Sequence, residues 1–104
     1  MEATDYNGLK AAIADASTPL VVDMHAEWCK YCKTTKPHLD RLSAERAGTI
    51  RFVSIDTDEH PEAAEYPGYK TLPNIILFVN GEEVERRGSG DYEDLTAWLA
   101  GHGL

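Results

Sequence analysis

The sequence predicts an α/β fold, with a central mixed β-sheet flanked by helices and completed by a C-terminal antiparallel hairpin and a final helix. Three observations predict it. Two short apolar runs, residues 20–26 and 50–56, flank a stretch with helical spacing, which is the order of a parallel strand-helix-strand unit. Asn80-Gly81 sits between two strand-like segments and is a strong hairpin signal. Apolar residues at helical spacing open and close the chain.

Asp5 is a candidate N-cap, and Tyr6, Leu9, Ile13 and Ala16 follow it at helical spacing. Residues 5–17 therefore read as an amphipathic helix, stopped by Ser17-Thr18-Pro19. Leu20 to Ala26 is mostly apolar with a β-branched pair, the mark of a buried central strand, and one acid, Asp23, interrupts it. From Cys29 onward, Cys32, Thr35, Leu39 and Leu42 lie three and four apart. That spacing predicts a helix of about four or five turns ending near Gly48, with Pro37 expected to kink it. Residues 50–56 alternate into a second strand that should pair parallel with residues 20–26 through a right-handed connection. Asp58 to Tyr69 reads as a short acidic helix and loop. Asn74 to Val79 supplies the third apolar run, and Asn80-Gly81 returns the chain antiparallel through Glu83 to Arg87. Asp91 caps a last helix with Tyr92, Leu95, Trp98 and Leu99 on its buried stripe, and Gly101 ends it. With no repeats, linkers or low-complexity tracts, residues 1–104 read as one domain.

A chain of 104 residues can bury a single core without metal or disulfide staples. The two cysteines are thus not needed to hold it together. The composition, 42% hydrophobic and 27% charged, is that of an ordinary globular protein, and no apolar stretch approaches the roughly 20 residues that cross a bilayer. The start of the chain has neither the basic residues nor the apolar run of a secretory signal, so the expected location is the cytoplasm. A net charge of −8 argues against nucleic acid or an anionic membrane as partner, which leaves proteins and small thiols.

Cys29 and Cys32 lie two residues apart where a buried strand meets a helix, a placement more informative than the spacing alone. Unpaired amide groups and the macrodipole at a helix N-terminus favour an anion by about 0.3–1 kcal/mol, so the Cys29 thiol should ionise readily. Thiolate is the reactive form. Once Cys29 has attacked a substrate disulfide, Cys32 stands one turn on and can displace the mixed disulfide intramolecularly. A permanent staple is the bland alternative, but closing so short a loop removes little chain entropy. Half of a zinc site is the other, and the motif lacks a second pair; His25, His38, His60 and His102 have no ligand spacing among themselves.

Val21-Val22-Asp23-Met24-His25-Ala26-Glu27-Trp28-Cys29-Lys30-Tyr31-Cys32-Lys33, followed by Pro37, Leu72-Pro73, Asn80-Gly81 and Gly88, resembles the thioredoxin family from about residue 5 to the end. The family opens with a strand, for which only Met1 to Thr4 are available here. The resemblance implies that Asp23 is the buried acid beneath the active site that helps deprotonate Cys32 through water. The physics agrees, since burial raises a carboxyl toward the range useful for proton transfer, the alternative being a strand-end acid facing solvent. Leu72-Pro73 is similar to the family's cis-proline loop, which offers backbone hydrogen bonds to a bound substrate chain. Trp28 looks like the tryptophan that partly covers the site, and Gly88 like a glycine on the rim of the binding groove; simple packing and a plain turn are the respective alternatives. Many bacterial members pair the buried acid with a lysine on the next strand, where this chain has Phe52. Asn74 stands for the threonine usual after the proline, and Thr71 for a common glycine.

Typical members carry Gly-Pro between the cysteines, where this chain has Lys30-Tyr31. Lys30, Lys33 and Lys36 form a basic patch that favours the thiolate and hence a somewhat more oxidising couple. The resulting expectation is a monomeric thiol-disulfide oxidoreductase that reduces protein disulfides, with Cys29, Cys32 and Asp23 as its chemical residues and no cofactor. Trp28, Lys30, Tyr31, Leu72, Pro73 and Gly88 should contact substrate. Its partners would be disulfide-containing proteins and a thioredoxin-reductase-like or membrane electron donor. The alternatives are a partner-docking module of the same fold, a glutaredoxin-like glutathione-dependent reductase, suggested by the Tyr-Cys end of the motif, and a metal-binding protein.

Overall fold

The computed structural model describes residues 1–64 and 71–104. Among the described residues five strands form one sheet: β1 (Glu2–Ala3), β2 (Leu20–His25), β3 (Arg51–Asp56), β4 (Asn74–Val79) and β5 (Glu82–Arg87). Their order is β1-β3-β2-β4-β5, with β1, β3 and β2 parallel to one another and β4 and β5 antiparallel to their neighbours. The helices are α1 (Tyr6–Ala14), α2 (Lys30–Glu45), α3 (Pro61–Ala64) and α4 (Tyr92–Ala100). The mixed sheet and its hairpin agree with the fold class read from the sequence, and the opening strand is present in its shortest form. The loop expected to run as far as Tyr69 extends into residues 65–70, which lie outside the described residues.

Alternation along β2 assigns its side chains to two cores. Val21 packs with Leu39 and Leu42 of α2 and with Leu95 and Leu99 of α4. Leu20, Val22 and Met24 pack on the opposite face with Leu9 of α1 and Ala63 of α3. A strand buried on both faces reads as a continuous apolar run, and this one does. Asp23 therefore shares the α2 side of the sheet with Val21, beneath the helix that begins at the cysteines. Cys32, Thr35, Leu39 and Leu42 form the buried stripe of that helix, and Pro37 lies within it.

One sequence boundary needs correction. Helix α1 ends at Ala14, and Ala16, expected on its buried stripe, is exposed beyond its end. Asp15 is already extended and its carboxylate accepts from the Ser17 amide at 3.0 Å, a local turn that competes with further helix. The guanidinium of Arg51 on β3 then takes up backbone carbonyls at and just beyond this end. It donates to Ala12 at 2.8 Å, to Thr18 at 2.8 Å and to Asp15. The hairpin forms as expected, with Asn80 and Gly81 both at positive φ (55° and 78°) as its two-residue turn requires.

Candidate active site

The site assembles at one end of the sheet because the register brings several segments there. Strand β2 runs toward Cys29, and its antiparallel pairing with β4 sets Asn74 against Met24, so Leu72-Pro73 lies at the same end. Strand β5 pairs Arg87 with Ile75, which puts Gly88 at that end too. The parallel partner β3 sets Asp56 against His25, so the Asp58 segment also emerges beside the cysteines.

Cys29 is the N-cap of α2. Its backbone is extended, and its Sγ accepts a hydrogen bond from the Cys32 amide at 3.1 Å. The two cysteines form a disulfide with their Cα atoms 5.3 Å apart, and both are largely buried. Reduction would place the Cys29 sulfur at the positive end of a 16-residue helix with an amide already aimed at it.

Asp23 is 2% exposed, and its Oδ1 has no hydrogen-bond partner among the described residues. The solvent-facing alternative is thereby excluded. Burial pushes its carboxyl up to about 7, with Lys36 pulling the other way and Asp40 adding to the rise. Asp23, Cys32, Lys33, Lys36, His25, Ala26 and Glu27 line one small cavity of about 130 Å³. The acid and the second cysteine thus face a common space.

The flanking residues are arranged unequally. Trp28 is 69% exposed, and its indole Nε1 donates to Asp58 Oδ2 at 2.9 Å, which fixes the ring's polar edge. Tyr31 is 64% exposed, so the segment around Cys29 carries two large exposed aromatic side chains. Lys30 and Lys33 are exposed. Lys36 departs from the sequence expectation, because its ammonium is bound to Asp40 Oδ2 at 2.7 Å and its charge is not free to join the basic patch. Leu72 is half-buried and packs toward the α1 side, and Leu72-Pro73 is a cis peptide with Pro73 buried. Asn74 turns inward, its Nδ2 3.9 Å from Met24 Sδ, whereas Thr71 is exposed. Gly88 is exposed with open space around it.

A family model described as Thioredoxin matches residues 1–101. The chain belongs to the thioredoxin family. It is 31% identical over 94 residues to thioredoxin of Rickettsia conorii, covering 89% of this chain and 90% of that one. Thioredoxin 1 of Nostoc sp. is 32% identical over 76 residues, covering 73% and 71%. Mitochondrial thioredoxin of Mus musculus is 32% identical over 88 residues, covering 84% of this chain and 53% of that one. Family membership and the paired cysteines make the protein a thiol-disulfide oxidoreductase.

Sequence reasoning missed one residue of this thioredoxin-family site, Asp58, and the pairing of Lys36 with Asp40. No local signal points to Asp58, which reaches Trp28 across 30 residues. The pairing did leave one: Asp40 stands four residues after Lys36, on the same side of α2. Among the described residues no group of three or more His, Cys, Asp or Glu side chains is placed to hold a metal ion, and no helix is long and apolar enough to cross a membrane.

Proposed function

We propose that the protein is a reductant of protein disulfides, with Cys29 as nucleophile, Cys32 as resolving thiol and Asp23 as the base that serves Cys32. The observation that carries this reading is Cys29 at the N-cap of α2, with Cys32 one turn on and facing the same cavity as the Asp23 carboxyl. The Cys29 thiolate attacks one sulfur of a substrate disulfide, forming the mixed disulfide and expelling the first substrate thiolate, which takes a proton from water. Asp23 then accepts the Cys32 proton across the shared cavity. The Cys32 thiolate attacks Cys29 Sγ, the Cys29–Cys32 bond forms, and the second substrate thiolate leaves. Two electrons pass from the dithiol to the substrate, and a reductase or membrane donor must restore them.

Substrate chains dock, in this reading, on Trp28, Lys30, Tyr31, the Leu72-Pro73 backbone and Gly88. Their common position at one end of the sheet supports it. A reducing direction fits a cytoplasmic setting, where thiol pools keep dithiols reduced. Reduction of insulin by dithiothreitol tests the core of the proposal. Catalysis should disappear in Cys29→Ser, whereas equal turnover in the wild type and that variant would overturn it.

A further inference from the structure

Cys32, Lys36 and Asp40 stand at successive i,i+4 positions along α2, so their side chains form one row on the helix surface. The first and second members of the row line the cavity that holds Asp23, and the third grips the second through the 2.7 Å Lys36–Asp40 ion pair. Lys36 thus both borders the cavity and has its ammonium fixed by a partner outside it. Neither side chain of the pair is buried, with exposures of 56% and 36%. Such a pair adds little to stability. Lys36 also lines the cavity it shares with a buried carboxyl and a redox cysteine, and that gives the pair a different use.

We propose that Lys36 is a positioning residue of the oxidoreductase reaction: held by Asp40 at the edge of the cavity, its ammonium sets the charge state of Asp23 and thereby the rate at which Cys32 resolves the mixed disulfide. The inference rests on the reading of Asp23 as the base for Cys32.

The surroundings of Asp23 leave Lys36 this role. The neighbouring strands present uncharged partners, Ser54 of β3 and Ile75 of β4, and Phe52 is also on β3. His25, Glu27 and Lys33 border the cavity, and Asp40, which also meets the Met1 amino group at 3.3 Å, lies behind Lys36. Of the charges that act on Asp23, Lys36 has the largest effect and Asp40 opposes it more weakly. The cation therefore wins over its own counter-ion. Desolvation pushes the carboxyl up and the ammonium draws it back, toward the range in which a base is useful.

Loss of the ammonium should raise the Asp23 midpoint by about half to one pH unit, less than a buried opposite charge would give because Lys36 is solvated. From a midpoint of about 7, the ionised fraction at pH 7 would fall from about one half to between about a quarter and a tenth. Resolution then slows about two- to fivefold at pH 7 and is unchanged at pH 9, where the carboxyl is ionised in either case.

Release of thionitrobenzoate from its mixed disulfide with Cys29, followed by absorbance from pH 6 to 9, reads the Cys32 step directly. Lys36→Gln should move the pH profile upward with no loss at pH 9, and Lys36→Arg should restore the wild-type profile. The 13C carboxyl titration of Asp23 by NMR should move in parallel. If Lys36→Gln superimposes on the wild type in both measurements while Asp23→Asn has lost its pH dependence, the role of Lys36 is overturned and the base assignment stands. A wild-type profile in Asp23→Asn would overturn both. A loss that is equal at every pH, or that Lys36→Arg fails to restore, would reduce Lys36 to a structural residue and also overturn the proposal.

Discussion

At the scale of residues, the charge beside Cys29 is expected to tune how strongly this thioredoxin-family dithiol holds its electrons. Lys30 is the first residue of α2, exposed, and among the described residues it has no ion-pair partner to neutralise it. A cation there favours the thiolate and so stabilises the reduced form. Lys36 contributes less than its sequence position implied, because Asp40 holds it. If Lys30 stabilises the thiolate, and with it the reduced form, by about 1.4 kcal/mol, the potential of the two-electron couple rises by on the order of 30 mV. Replacing Lys30-Tyr31 with Gly-Pro should therefore make the protein more reducing by about that amount. Equilibration of both proteins against glutathione redox buffers checks it, and a variant equal to or more oxidising than the wild type would show that the dipeptide charge does not set the poise.

At the scale of elements, what the sequence could show was whatever depends on near neighbours. Strands β2, β3 and β4 were legible because burial on one or both faces imposes an apolar pattern on six consecutive residues. The Cys32-Thr35-Leu39-Leu42 stripe of α2 and the Asp91 cap of α4, a complete capping box with Asp94, follow from equally short-range rules. The Cys29–Cys32 part of the site was legible for the same reason. The end of α1 was only partly legible: the Asp15–Ser17 turn that stops it is local, but the Arg51 guanidinium that caps it comes from a strand 36 residues beyond Asp15. Asp58 beneath Trp28 escaped for the same cause. Arg51 also donates from Nε to Thr18 Oγ1 at 2.9 Å, so one side chain ties the α1–β2 connection to β3 through four hydrogen bonds. Arg51→Met keeps the apolar stem and removes the bonds. With hydrogen bonds to charged groups contributing about 1.5–3 kcal/mol each when intact and water available to replace part of the set, the expected loss is about 2 kcal/mol. Thermal unfolding measures it, and a midpoint within a degree of the wild type would show that solvent caps α1 equally well.

At the scale of the whole molecule, the site sets a limit on stability through Asp23. Its carboxyl titrates at about 7 in the folded protein and near its ordinary 3.8 when the chain is unfolded. Between those values the folded state binds a proton that the unfolded state has released. Stability from this group is therefore greatest in acid, falls as pH rises from about 4, and levels off above about 7. The full span is about 4 kcal/mol, from three pH units at about 1.4 kcal/mol each, against a total stability on the order of 5–15 kcal/mol. Burial of the carboxyl is the physical origin of this cost. Asp23→Asn keeps the shape and cannot ionise, so any penalty for its unpaired amide is the same at every pH. The exposed carboxylates lowered by their own partners, such as Glu85 beside His102 and Asp91 at its cap, are common to both proteins and cancel in the difference. Relative to the wild type, the oxidised Asn variant should gain about 2 to 3 kcal/mol between pH 5 and pH 8 while losing resolution rate. Urea unfolding at the two pH values measures the gain. A difference between the two proteins that does not change with pH would mean that Asp23 is already ionised at pH 5, and the charge-state control assigned to Lys36 would have nothing left to act on.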